Sequence, residues 1–242
     1  LRFLENMQFA LFVFFTAAYA YQIVYLFVGL IGKGRGGRED AKLHRYAAVV
    51  AARNESAVIA NLIRTLKEQN YPSELLDIYV IADNCTDNTA QISRKAGAYV
   101  YERFNKVQVG KGYALDELIS HIRMRRPLSD YDAFLVFDAD NIVDPHFISA
   151  MDQTFALDEN YVYEMNKVFD SGYRVITSYR NSKNFASSWI SASYSIWFLR
   201  EARFLNYPRM KLHTNCAISG TGFLVSSKII EENGGWPYHL LT

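Results

Sequence analysis

From Asn6 to Gly32 the chain reads NMQFALFVFFTAAYAYQIVYLFVGLIG, 27 positions with no charged residue. At about 1.5 Å per residue, a helix of this length crosses the roughly 30 Å hydrocarbon core of a bilayer with room to tilt. It is too long for the apolar core of a signal peptide and lacks a basic flank followed by a small-residue cleavage site. A buried helix of a soluble protein is the competing reading, and the length argues against it. The flanks orient the span. Lys33, Arg35, Arg38, Lys42 and Arg45 follow it, and only Arg2 precedes it, so the following side is expected to be cytoplasmic. Residues 1–32 are therefore expected to form one transmembrane helix in the cell membrane. Residues 33–45, with KGRGG, are expected to form a juxtamembrane linker, and residues 46–242 a cytoplasmic domain. The first residue is Leu1 rather than methionine, which leaves room for residues before it.

The 242 residues suffice for one sizeable domain and a small extra element. The net charge of +1 gives no electrostatic case for a nucleic-acid partner. Cys85 and Cys216 are too few for a disulfide framework and lack metal-ligand spacing, which fits a reducing compartment.

Beyond the linker, strand-like and helix-like runs alternate. Tyr46 to Ala52, DIYVIAD, AYVYER, AFLVFD, YRVITSYR and CAISGTGFLVSS read as strands. Between them, ESAVIANLIRTLKEQN, TDNTAQISRKAG and GYALDELISHIRMRR carry helical spacing, and PHFISAMDQTFAL opens a further helix with proline in its first turn. The alternation predicts an α/β fold, a mostly parallel central sheet with helices on both faces. Ligands of such sheets gather beyond the carboxyl ends of the strands. Three strands end in polar clusters there: ARNE, DNCTDNT and DADN. No G-x-G-x-x-G follows the first strand, which disfavours a dinucleotide site, and GKGYAL lacks the full P-loop spacing.

Asp138 and Asp140 end the fourth strand, one residue apart. Two carboxylates this close repel unless a cation sits beside them. A hard divalent ion, Mg2+ or Mn2+, held by few protein ligands and shared with a diphosphate would answer that need. A pair of solvated turn acids is the bland alternative. Asp83 ends the second strand, where a carboxylate can accept from an N–H of a nucleobase, with Arg53 and Glu55 bordering the same base. Lys111 reads either as a phosphate contact or as a solvated loop lysine.

Taken in order, AARNE, IADNCTDNT, GKGYAL, VFDADN, ISGTGFLV and GGWP resemble the family 2 glycosyltransferases, inverting enzymes with the A-type nucleotide-sugar fold. The resemblance spans residues 45 to 242. It implies that Arg53, Glu55 and Asp83 line a uridine, that Ala52, Lys111 and Ala139 belong to the same nucleotide site, and that Asp138 touches the ribose or the metal. It also implies that Asp140, with Asp138, binds the metal. Ser219, Gly220, Thr221, Gly222 and Trp236 would border the acceptor. The implied activity is metal-dependent transfer from a UDP-sugar, of glucose or N-acetylglucosamine type, to a glycan hydroxyl in polysaccharide synthesis. The family's catalytic base follows GGWP in a Thr-Glu-Asp-like motif. Here GGWPYHLLT runs to Thr242, so the base is expected just after it. Asp144, Glu231 and Glu232 are acids within the chain, but none stands where the resemblance puts the base.

The segment NFASSWISASYSIWFLREARFLNYPRMKL is rich in aromatic residues, with Arg200, Arg203, Arg209 and Lys211 toward its end. It reads as a helix at the membrane interface or as a core helix packed across the sheet. Two other functions compete with the leading one. One is transfer to a polyprenyl phosphate, giving a lipid-linked sugar. The other is a non-catalytic nucleotide-sugar-binding subunit.

Overall fold

The computed structural model describes residues 2–31, 43–151, 175–212, 214–215, 217–218 and 220–238. In chain order the elements are α1 (Arg2–Tyr19), α2 (Tyr21–Ile31), β1 (Tyr46–Ala52), α3 (Ile59–Lys67), β2 (Leu76–Asp83), α4 (Thr89–Lys95), β3 (Tyr99–Arg103), α5 (Lys111–Arg125) and β4 (Ala133–Asp138). They continue with β5 (Val175–Thr177), α6 (Trp189–Glu201), α7 (Tyr207–Lys211), β6 (Phe223–Ser226) and α8 (Ser227–Glu232). The chain divides into two compact units. One joins Leu1–Arg35 with Tyr179–Ala217, and the other joins Gly36–Ser178 with Ile218–Thr242. The expected domain over 46–242 is thus interrupted, because Tyr179–Ala217 groups with the amino-terminal helices.

The sheet runs β3-β2-β1-β4-β6-β5. The pairs β1–β2, β1–β4 and β2–β3 are parallel, while β6 is antiparallel to both β4 and β5. The mostly parallel sheet expected from the alternation is present. Its centre is β1, YAAVVAA, whose successive side chains point to opposite faces. Tyr46, Ala48 and Val50 pack with Leu62, Ile63 and Leu66 of α3. Ala47 and Val49 pack on the other face with Leu115, Leu118, Ile119 and Ile122 of α5. Fully burying each large aliphatic side chain contributes about 1.5–3 kcal/mol, so this two-sided core holds the strand ends in place. Leu43 to Arg45, assigned to the linker, already belong to this unit. His44 is buried, and its carbonyl accepts from Tyr71 Oη at 2.6 Å.

The helix after β1 starts at Ile59, later than its apolar spacing suggests. The Glu55 and Ser56 amides are instead taken by the side chains of Thr89 (2.8 Å) and Asp87 (3.1 Å), which hold that stretch as a turn. α4 stops as expected near Gly97, whose φ of +91° suits a helix C-terminus. The helix anticipated from Pro145 is described only over residues 147–151.

In the other unit, α1 and α2 follow one another with a break at Ala20, whose amide reaches back only to the Ala17 carbonyl at 3.2 Å. Together Arg2–Ile31 are long and apolar enough to cross a membrane, with a mean hydropathy of 1.8 over their most apolar 18 residues, which are not buried in the protein. The linker stretch 33–42 lies outside the described residues. α6 and α7 are joined by a π-helical segment, Ala202–Asn206, in which the Tyr207 amide bonds to the Ala202 carbonyl. Pro208 supplies the cause, since it cannot donate the next helical hydrogen bond. Gly29 of α2 lies against this segment. A Cβ there would meet the Phe204 ring at 2.6 Å and the Arg203 carbonyl at 2.9 Å. Trp189, Ile196 and Trp197 are exposed. The reading of this segment as a core helix across the sheet is therefore set aside, because its apolar side chains face outward and it groups with α1 and α2.

Candidate functional site

Two asparagines in the left-handed region, a conformation that asparagine tolerates better than most residues, tie the strand ends to their neighbours. Asn54 (φ 57°) joins the end of β1 to that of β2, and Asn84 (φ 51°) joins the end of β2 to the segment after β3. Asn54 Oδ1 accepts from the Thr86 amide at 2.7 Å. Asn84 Oδ1 accepts from the Asn105 amide at 3.0 Å, and its Nδ2 donates to the Asn105 carbonyl at 2.9 Å. The Cys85 thiol donates to the Ala52 carbonyl at 3.4 Å, and burial pushes its pKa up. Cys216 lies outside the described residues. Ala52 and Ala82 are partners in register, so Ala52, Arg53, Glu55 and Asp83 stand on adjoining strand ends. Arg53 is exposed, Glu55 half-buried and Asp83 buried.

Asp83 does not stand alone. Its Oδ1 accepts from Arg103 Nη1 at 2.7 Å and from Asn84 Nδ2 at 3.0 Å. Arg103, at the end of β3, also donates through Nε to Glu117 Oε2 of α5 (2.7 Å) and through Nη2 to the Gln108 carbonyl (2.8 Å). The arginine side chain is 1% exposed and that of Asp83 8%. Burial lowers the guanidinium pKa, but its hydrogen bonds to Asp83 and Glu117 and the charges of those carboxylates outweigh it, and the net shift is upward. Deleting one partner of a buried pair costs about 3–5 kcal/mol, because the other charge is stranded. Sequence reading missed Arg103, since an arginine closing a short strand looks solvated until its neighbours are known.

Across the sheet, β4 ends in Asp138, followed by the buried Ala139 and then Asp140. Lys111, the first residue of α5, donates to Asp138 Oδ1 and to the Gly220 carbonyl, the latter at 2.9 Å. The Asp138 amide donates to Thr221 Oγ1 at 2.7 Å, and that hydroxyl donates to Asn141 Oδ1 at 2.5 Å. Asn141 Nδ2 in turn donates to Asp140 Oδ1 at 3.2 Å. The acid pair is thus framed by a segment that reading from sequence assigned to the acceptor. Among the described residues, no group of three or more His, Cys, Asp or Glu side chains is placed to hold a metal.

The other expected acceptor residues are differently placed. Ser219 lies outside the described residues. The Gly222 amide donates to the Val136 carbonyl at 2.8 Å, which ties this turn to β4. A side chain on Gly222, which has a φ of +68°, would also meet Ser178 Oγ at 2.7 Å. Trp236 is buried against Phe223, with ring centroids 6.3 Å apart, and its amide donates to Asp116 Oδ1 at 2.9 Å. Its indole N–H is buried with no acceptor among the described residues. The position expected for the base, just after Thr242, also falls outside them. Asp144 Oδ1 accepts from the His146 amide at 2.8 Å, while Glu231 and Glu232 lie on α8.

Comparison with known proteins agrees with this geometry. The family described as "Glycosyltransferase like family 2" matches residues 44–241. The beta-monoglucosyldiacylglycerol synthase of Nostoc sp. is 27% identical over 201 residues, which cover 80% of this chain and 38% of that protein. The probable glycosyltransferase YdaM of Bacillus subtilis is 24% identical over 212 residues, covering 82% of this chain and 44% of that one. The chain therefore spans less than half the length of these two relatives. Among solved structures, a mannosyltransferase from Pyrobaculum calidifontis in complex with GDP-Man and Mn2+ superposes with a TM-score of 0.61. It is 15% identical, and the match covers 94% of this chain and 58% of that one. At that identity the likeness speaks for the fold alone.

Proposed function

The chain belongs to glycosyltransferase family 2, and on that premise we propose that it is a membrane-anchored, metal-dependent inverting enzyme using a UDP-sugar of glucose or N-acetylglucosamine type. The observation that carries this reading is the gathering of Asp83, Lys111 and Asp138 at one edge of the parallel sheet, where ligands of such folds bind. Asp83 reads the base, and Asp138 meets the ribose. Asp138 and Asp140 suit a divalent ion that keeps open positions for a diphosphate. The fit is supported by Asp138 already receiving a cationic group, Lys111 Nζ, at its Oδ1. When bound, such an ion offsets the charge that builds on the leaving diphosphate. Lys111 adds a second positive charge on the same side, and the Thr221 hydroxyl keeps the end of β4 in place while that charge develops. The attacking hydroxyl needs a base, and the family resemblance implies a carboxylate for that role.

Sequence reading favoured a glycan acceptor in polysaccharide synthesis. A second reading, transfer to a lipid-borne hydroxyl, is favoured by the exposed apolar side chains of α6 and a helix long enough to span a membrane, and by the likeness to a beta-monoglucosyldiacylglycerol synthase. Arg2–Ile31 would be the anchor, with the sheet unit on the cytoplasmic side. The test uses the protein in lipid nanodiscs with UDP-glucose or UDP-N-acetylglucosamine, with Mn2+ or with chelator. UDP release that needs metal and fails in Asp140→Ala is expected, and mass spectrometry of the product separates glycan from glycolipid. UDP binding of equal strength with and without metal, measured by calorimetry, would remove the metal from the reading.

A further inference from the structure

We propose that Arg103 sets the nucleobase choice of this site by leaving Asp83 a single acceptor oxygen. The inference rests on the reading above, in which Asp83 faces the base. Asp83 Oδ1 accepts two hydrogen bonds, from Arg103 Nη1 (2.7 Å) and Asn84 Nδ2 (3.0 Å), which use both of its lone-pair directions. Oδ2 accepts none among the described residues. Neither donor is at liberty to turn away. The guanidinium is also held by Glu117 Oε2 and the Gln108 carbonyl. The Asn84 amide is oriented by its oxygen accepting from the Asn105 backbone.

One remaining acceptor oxygen discriminates between bases by their hydrogen-bonding edges. Uracil presents one imide N–H between two carbonyls and needs one acceptor. Guanine presents a ring N–H beside an amino group, a pair of donors suited to a carboxylate with both oxygens available. Cytosine presents a bare ring nitrogen at the corresponding position, an acceptor facing an acceptor. The pinned carboxylate thus favours uracil over guanine and disfavours cytosine.

The arginine makes a specific forecast for Asp83→Asn, a change that preserves shape and leaves Arg103 its Glu117 partner. Arginine only donates, so it requires the amide oxygen at the Oδ1 position and turns the NH2 toward the base. An N–H there suits the ring nitrogen of cytosine and opposes the imide of uracil. Calorimetric titration of the whole protein with UDP, CDP and GDP reads the outcome. The wild type should prefer UDP. In Asp83→Asn the CDP-to-UDP affinity ratio should rise by about tenfold or more, as expected for exchanging a good hydrogen bond for an opposed one. Arg103→Met, where it folds, should raise GDP relative to UDP by freeing one lone pair of Oδ1, the other still accepting from Asn84 Nδ2. A wild type indifferent to the base would sink the underlying reading. A wild type that prefers UDP, with Asp83→Asn losing all three nucleotides equally, would overturn the role given to Arg103 and leave that reading standing.

Discussion

Lys111 Nζ donates at once to the carboxylate of Asp138 and to the carbonyl of Gly220, so the start of α5 clasps the end of β4 and the turn before β6. The two side chains are 36% and 42% exposed. An ion pair that open contributes about 0–1 kcal/mol to folding, so giving it up for a nucleotide is inexpensive. On the proposed reading, the lysine is a counter-ion kept near the acids until a diphosphate takes it.

Lys111→Met should therefore weaken UDP binding about tenfold, the scale of one charge-assisted hydrogen bond, and leave uridine binding nearly unchanged. Calorimetry with both ligands checks this. Equal losses for UDP and uridine would place the lysine away from the phosphates.

Thr221 gives a prediction about stability. Its hydroxyl accepts from the Asp138 amide and donates to Asn141 Oδ1. Thr221→Val keeps the shape and removes both bonds, which should lower stability by about 1–3 kcal/mol, the cost of polar groups left without partners. Thr221→Ser should recover most of it. Thermal or denaturant unfolding measures the difference, and a valine variant as stable as the wild type would show that Asn141 alone, 3.3 Å from the same amide, suffices.

Asp87 gives the pH dependence. Hydrogen bonds, above all from the Thr89 hydroxyl (2.5 Å) and then from the Ser56 side chain and the Thr89 and Ser56 amides, hold its carboxyl well below the usual carboxylate range, against an opposing effect of desolvation smaller than that of the Thr89 hydroxyl. A folded-state value below the unfolded one, near 3.9, means stability that is present above about pH 4 and lost as the pH falls further. The melting-temperature gap between wild type and Asp87→Asn should be constant from pH 5 to 7 and shrink below about pH 4. A gap that widens in acid would reverse the sign and remove Asp87 as the source.

Much of this protein was legible in the chain. The continuous apolar run YAAVVAA made β1 readable to its last residue, because a strand buried on both faces permits little else. The span from Asn6 to Gly32 was readable as a long apolar helix for the same reason, since composition alone decides what water will not cover. That the acids at the ends of β2 and β4 stand on one edge was readable because parallel strands place their carboxyl ends together. Tertiary structure decided the rest. That Arg103 is buried and bound to Asp83 depends on a sequence separation of 20 being closed as β3 returns beside β2. That Thr221 and Lys111 frame Asp138 depends on separations of 83 and 27 residues closed by the sheet. Local sequence fixes backbone propensity and the faces of single elements, whereas hydrogen bonds between distant side chains exist only once packing has brought their elements together.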